Sequence, residues 1–373
     1  MPADTQHTSL GQRRGWARVR AVMACVAGVA TFALSMAALA MIVLAGLARF
    51  WSFSEHRSIR DAPTWSWAPG GAEALAIAAV AISFGGAFWY FWRGAANAVL
   101  HEVAATFLPP GATPQLVNVV EALSIGLGQQ PPRLWITDDP TPNAISLRST
   151  RNRDLCVTTG ALALPRAELE ALCAHELGHL WAEDSHWVTA GLVAVARARR
   201  FGEFIVVLGS LGILVVGLAA KYVDVLLWSS AVFSLALIGL GICSKTILRQ
   251  LELTVRRNAD EIADVQAIRL ARDPNSLGDV CARLAADERR VSPVQWRSEL
   301  LWFEAVETAK PNDDVAAIRS SIRSRADLLR RALAAYAEAR VPVPASVIDL
   351  QQRVASDTAR LATLESTRPL RIR

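Results

Sequence analysis

The stretch Ala174-His175-Glu176-Leu177-Gly178-His179-Leu180 carries two histidines four residues apart, with a glutamate beside the first. On a helix this spacing puts both imidazoles on one face, where they can bind a single zinc ion. Glu176 lies about 100° further round the axis, close enough to address a water at the metal without ligating it. The chemistry implied is hydrolysis. Zinc brings the pKa of a water to about 7, the Glu176 carboxylate accepts its proton, and the oxygen attacks a polarised peptide carbonyl. The plain alternative is a pair of surface histidines on a solvated helix. Gly178 argues against that, because glycine costs roughly 1 kcal/mol in a helix interior and is kept there for close packing or access.

A catalytic zinc needs a third protein ligand and an open position. The best segment is Arg256-Arg257-Asn258-Ala259-Asp260-Glu261-Ile262-Ala263-Asp264, which reads as helix and offers three carboxylates. From spacing alone, a charged helix face laced with Arg–carboxylate pairs accounts for it equally well.

Hydrophobic residues make up 52% of the 373, which points to membrane spans beside a modest polar domain. Four spans are predicted: Ala21 to Ala48, Ala74 to Trp92, Phe204 to Ala220 and Val225 to Ser244. The first is a retained anchor, too long for a cleaved secretory signal. The second ends in Phe88-Trp89-Tyr90-Phe91-Trp92, an interfacial belt, and Trp51, Trp65 and Trp67 lie in the loop before it. The last two form a hairpin flanked by Arg197, Arg199, Arg200, Lys245 and Arg249, with Lys221 alone at its tip, so both outer ends are expected in the cytoplasm. Two crossings return the chain to the face it left, so the Asp260 segment and the His175 helix can meet there. The net charge of +5 comes from arginines beside apolar stretches, which orients spans and speaks against nucleic-acid binding.

Residues 93–203 and 245–310 therefore form the two halves of one polar domain around the 204–244 hairpin. They follow a cytoplasmic segment 1–20 and the paired spans in 21–92, and precede a helical region 311–373. Short apolar runs at Arg133 to Thr137, Ala144 to Leu147 and Leu155 to Thr159 predict a small sheet. Pro165 opens the helix that bears His175 and runs to about Asp184. Further helices are expected at Leu251 to Ala271, Leu277 to Asp287, Asp314 to Ala339 and Ala345 to Leu364. The last keeps an apolar heptad phase through Val347, Leu350 and Val354, open to local packing, self-association or a partner helix. Five scattered cysteines, Cys25, Cys156, Cys173, Cys243 and Cys281, form no disulfide framework, and Cys173, two residues before His175, is a candidate redox-sensitive thiol.

From Pro142 to Pro274 the chain resembles the HtpX-like M48 family of membrane zinc metalloproteases. The resemblance rests on Pro142-Asn143-Ala144, Val157-Thr158-Thr159-Gly160, the His-Glu-Leu-Gly-His run, Asp184, the hairpin and Ala263-Asp264. It implies a zincin-like domain with one zinc per chain, held by His175, His179 and a third ligand that falls on Asp260, with Glu261 as the alternative. The family has Glu at that place, so Asp260 is a departure with a shorter reach. Asp264 and Asp184 are implied to support the ligands. A His-Pro motif followed by Arg, common in the family, has no counterpart found here, and Arg323 or Arg325 is considered as the cation that faces the oxyanion.

The expectation is thus a mainly α membrane protein with an α+β catalytic domain, a multi-pass endopeptidase of the cell membrane with its site facing the cytoplasm. It would act on misfolded or regulated membrane proteins, whose unfolded strands can pair with the strand beginning at Asn143 and Ala144. The competing reading is a weak or inactive membrane scaffold of the same fold, supported by Asp260 and the missing His-Pro. A transporter is disfavoured, since the spans lack the buried charges of an ion path.

Overall fold

A computed structural model of the chain describes residues 15–36, 71–109, 111–181, 185–219, 225–286 and 314–367. Ten helices and four short strands occur among them. They are α1 (Gly15–Met36), α2 (Gly71–Glu102), β1 (Thr106–Phe107), α3 (Pro114–Gly126), β2 (Arg133–Thr137), β3 (Ala144–Arg148), β4 (Arg153–Thr158) and α4 (Thr159–Leu162). After these come α5 (Arg166–Trp181), α6 (Ser185–Ala219), α7 (Val225–Leu270), α8 (Ser276–Ala286), α9 (Asp314–Ala339) and α10 (Ala345–Thr367). The three strands expected from the sequence form, joined by the two-residue β1. The expected helix at Leu251 to Ala271 and the second arm of the hairpin are one element, since no proline or glycine stop separates them and α7 runs unbroken for 46 residues.

The chain divides into two compact units. One contains Met1–Val19, Ala96–Thr189 and Thr254–Arg373, the other Arg20–Ala95 and Ala190–Leu253.

In the first unit the sheet order is β1-β2-β4-β3, with β2 parallel to β4 and the outer pairs antiparallel. Among the described residues β3 pairs with β4 alone, which makes it an edge. Its start is held by the turn after β2. The Asp139 carboxylate accepts from Thr141 N–H (2.9 Å), Asp139 C=O accepts from Gly160 N–H (2.8 Å), and Thr158 Oγ1 donates to Thr141 C=O (2.7 Å). A Cβ on Gly160 would stand 2.2 Å from Pro140 O, so only glycine lets this turn lie against β4.

Helices α3, α5, α8, α9 and α10 share one apolar core through Leu116, Leu172, Leu277, Leu328, Tyr336 and Val347. Val347 and Leu350 are buried and Val354 packs against this core, so the first half of the α10 stripe packs locally. Two buried carboxylates in the first turns of α5 bind its neighbours. Glu168 pairs with Arg283 of α8 (Nη2 to Oε1, 2.6 Å), and Glu170 Oε1 accepts from Arg272 N–H just past the end of α7 (3.0 Å). These contacts draw the last turns of α7 against α5.

The second unit is helical. Gly28 and Gly191 lie where α1 meets α6, and Gly202, Gly209 and Gly241 where α6 meets α7. A Cβ on Gly28 would approach Val195 N to 2.7 Å, and one on Gly241 would approach Gly202 O to 2.7 Å. Small residues at crossings let helix backbones approach closely. Phe32 packs edge-on to Phe91, with ring centroids 5.5 Å apart.

Among the described residues one helix, Gly15–Met36, is long and apolar enough to cross a membrane by length and composition. The other three predicted spans fold as parts of α2, α6 and α7. The loop with Trp51, Trp65 and Trp67, the hairpin tip at Lys221 and Asp184 lie outside the described residues.

Candidate metal centre

Helix α5 is buried on nearly every side, including His175 (0% exposed) and Glu176 (1%). The two imidazoles stand as the spacing predicts, with Nε2 of His175 3.0 Å from Nε2 of His179. Two ligands about 2.0–2.1 Å from a tetrahedral ion are roughly 3.4 Å apart, so the nitrogens are spaced to share one zinc. His175, Glu176 and His179 each bring a ligand atom within 4.8 Å of the others. Glu176 Oε2 is buried and has no hydrogen-bond partner among the described residues. A buried carboxylate oxygen without a donor is costly in a finished core and natural beside a metal or its water. The donor set fits zinc.

Helix α7 supplies the acids. Asp260 and Asp264, four residues apart, share a face toward α5. Asp264 Oδ1 lies 2.7 Å from His175 Nδ1, and Asp260 Oδ1 lies 3.5 Å from His179 Nε2. Asp264 therefore stands on the side of the imidazole turned from His179, where a carboxylate fixes the ring orientation and tautomer of a metal ligand. Glu261 is exposed, about 100° round α7 from Asp260. The approach depends on small residues. A Cβ on Gly178 would be 3.2 Å from Ala263 Cα and 3.4 Å from Ala263 O. Gly178→Val is accordingly expected to push α7 from α5, lowering stability by about 1–3 kcal/mol and reducing zinc content; thermal unfolding and metal analysis of purified protein would check both.

The sequence reading missed Arg331 of α9. Its guanidinium forks onto Asp264 (Nε to Oδ2 and Nη2 to Oδ1, both 3.1 Å), while Nη1 lies 3.4 Å from Asp260 Oδ2. Arg256 Nε donates to the same Asp260 oxygen at 3.2 Å. Arg323 is exposed, and Arg325 binds Asp357 and Ala285 C=O, so neither expected cation faces the site. A signal was present: Leu328, Arg331, Ala332 and Ala335 follow helical spacing on one face, and an arginine on an apolar face needs a buried partner.

These neighbours set the charges. Burial alone would raise the carboxyl pKa values of Asp260 and Asp264. The neighbours together outweigh it, Arg331 with Arg256 and His179 at Asp260 and Arg331 with His175 at Asp264, and both are held below the usual carboxylate range. At Glu176 burial wins and the pKa is raised, although His175, His179 and the adjacent Ser146 hydroxyl favour the charged form. This suits a group that must take and return a proton. Burial also raises the pKa of the Cys173 thiol, which is 0% exposed and thus lacks the thiolate character and access of a redox sensor.

Asn143 and Ala144 stand at the head of β3, both buried. Asn143 N–H donates to Thr158 Oγ1 (2.9 Å), and its own Oδ1 accepts from Ala144 N–H (3.0 Å). Ser146, two residues on and not anticipated, is the β3 residue beside Glu176.

Residues 110–303 match the model of peptidase family M48. A protease HtpX homolog of Listeria monocytogenes (serovar 1/2a, strain EGD-e) is 28% identical over 204 residues, covering 53% of this chain and 67% of the relative. Protease HtpX homologs of Dictyoglomus turgidum and Acidiphilium cryptum are 40% and 37% identical over 92 and 116 residues. These cover 24% and 30% of this chain, and 30% and 40% of the relatives. No solved structure matches. Arg331 lies beyond the matched stretch, whereas the histidines, Glu176 and both aspartates lie within it. With the match spanning half the chain and centred on the clustered α5 and α7 residues, the chain belongs to peptidase family M48.

Proposed function

We propose that the chain is a membrane-bound zinc endopeptidase in which His175, His179 and Asp260 hold the metal and Glu176 is the general base. The observation that carries this reading is the buried, unpartnered Glu176 Oε2 beside two imidazole nitrogens 3.0 Å apart. Zinc bound there supplies a Lewis acid that polarises the peptide carbonyl and acidifies water. Glu176 Oε2 takes the proton of the attacking water and returns it to the leaving amine, and the raised pKa of this carboxyl eases the return. Asp264 holds the His175 ring, and Arg331 neutralises the two aspartates so that both can stay ionised while buried.

The membrane placement rests on the four apolar runs and on where large apolar side chains remain exposed. These include Met23 and Val26 on α1, Ile82 and Trp89 on α2, Val207 and Leu211 on α6, and Leu235 and Ile242 on α7. Such a concentration suits lipid rather than water. The arginines flanking the hairpin favour a cytoplasmic site by the positive-inside rule, which suits misfolded or regulated membrane proteins as substrates.

The ligand assignment has a direct test. Asp260→Ala is expected to lose tightly bound zinc and casein hydrolysis together, and Glu261→Ala to keep both, by metal analysis and proteolysis in detergent. Stoichiometric zinc retained in Asp260→Ala would remove Asp260 from the ligand set.

A further inference from the structure

The outward faces of α6 and α7 change character at the same end of the hairpin. On α6, Phe204, Val207 and Leu211 are exposed, and half-buried Arg200 falls within about 60° of them round the axis. On α7, Leu235 and Ile242 are exposed, and exposed Arg249 continues them in steps of seven residues. Each apolar stripe thus runs into an arginine. The two helices are held in register there. Lys245 Nζ lies 3.0 Å from Glu203 Oε1, Arg199 Nε lies 3.6 Å from Glu252 Oε2, and a Cβ on Gly202 would stand 3.4 Å from Gly241 O. The two ion pairs bracket Arg200 and Arg249, so both arginines stand at one level. Arg200 and Glu203 are three residues apart, and Lys245 and Arg249 four, so each arginine shares a helix face with one member of the Lys245–Glu203 bridge. Over α6, and over α7 up to Leu253, five cations (Arg197, Arg199, Arg200, Lys245 and Arg249) stand against two acids, Glu203 and Glu252, and all seven sit at this end.

We infer that an anionic phospholipid binds at this level, with its phosphate at Arg200 and Arg249 and its acyl chains along the two exposed stripes. Guanidinium groups hold phosphate oxygens through paired N–H donors, and basic residues at the ends of spans attract anionic headgroups. The occupant is a lipid rather than a free phosphate because each arginine closes an apolar stripe. Charge recognises the headgroup, and the exposed hydrocarbon beyond it is a surface that acyl chains cover and water does not. It is anionic rather than zwitterionic because the cations outnumber the acids five to two, and the cation of a choline headgroup would meet that surplus with repulsion. The inference rests on the membrane placement above.

The test is a lipid titration. Full-length protein in a neutral detergent is titrated with dioleoylphosphatidylglycerol or dioleoylphosphatidylcholine, and bound lipid is counted by native mass spectrometry. One phosphatidylglycerol is expected to bind about tenfold or more tightly than phosphatidylcholine, and inorganic phosphate in excess should not displace it. Arg200→Gln/Arg249→Gln should weaken phosphatidylglycerol binding about 20- to 30-fold, near fivefold for each arginine, and leave phosphatidylcholine unchanged. Arg200→Lys/Arg249→Lys, which keeps the charge, should lose no more than about threefold. Arg353→Gln/Arg360→Gln, which removes the same charge from exposed positions of α10, should bind like the wild type. Equal affinity for the two lipids, displacement by phosphate, or a glutamine double variant that keeps the preference would overturn the inference, and so would an equal loss in the α10 control. Flotation with phosphatidylcholine vesicles separates this outcome from failure of the membrane reading. Protein that floats but shows no headgroup preference sinks the inference alone, whereas protein that does not float sinks the membrane reading and the inference with it.

Discussion

Glu176→Gln is expected to lower peptide hydrolysis by roughly 10²- to 10⁴-fold, the range for removing a positioned general base, while one zinc per chain stays bound. Glutamine keeps the shape of the side chain and discards only its capacity to accept a proton. Because Glu176 is 1% exposed, no bulk water can replace it at that point. The metal should be insensitive, since His175, His179 and Asp260 are unchanged and the amide brings no new charge. Two measurements on one preparation decide the matter: zinc by elemental analysis, and casein or peptide cleavage in detergent. Loss of both would make Glu176 a ligand rather than a base. Activity close to wild type would remove it from the chemistry and favour the inactive-scaffold reading.

Arg331→Met is expected to have the largest effect on stability of any single change outside α5. The substitution leaves Asp264, 2% exposed, without its bidentate partner, and leaves Asp260 with Arg256 as its arginine partner beside His179. Removing one member of a buried ion pair costs roughly 3–5 kcal/mol, because an uncompensated charge remains. Asp264 can escape that cost by taking up a proton. It would then no longer accept from His175 Nδ1 as a carboxylate, the imidazole would lose its orientation, and zinc would bind more weakly. A depressed thermal midpoint and reduced zinc occupancy are therefore expected together. Arg331→Lys should restore the charge but not the fork, giving partial recovery. Removal of α9 and α10 should reproduce the Arg331→Met defect and add loss of core, since Leu328, Tyr336 and Val347 leave with them. A thermal midpoint unchanged by Arg331→Met would mean that the aspartates are satisfied without it.

Both expectations show where the legible part of the site ended. His175, Glu176 and His179 could be read at once, because their geometry is local: four residues on any α-helix bring two side chains together, whatever the rest of the chain does. The strand at 133–137, the strand expected at 144–147 that runs one residue further, and the bounds of α9 were legible for the same reason, through periodicity and end signals. Gly178 was recognised as a close-packing position, but its partner, Ala263, was not, since that contact spans 85 positions of chain. The Asp260 segment was found only by its carboxylates and by resemblance. Its spacing served a surface ion-pair ladder equally well.

What the chain determined by itself was the helical frame of the His175, Glu176 and His179 triplet, the apolar runs and the chemistry open to those residue types. What only the tertiary structure decided was which distant groups complete that chemistry. It set Asp264 behind His175 and Asp260 beside His179, turned Glu261 outward, and brought Arg331 rather than Arg323 or Arg325 to the two aspartates. The physical reason is the same each time. A helix carries many residues of one charge type at nearly equivalent positions, and which of them faces inward depends on the rotation and depth of that helix against its neighbours. Those are set by packing across the whole core, through contacts such as Gly178 on Ala263 and Glu170 on the end of α7, and no local pattern encodes them.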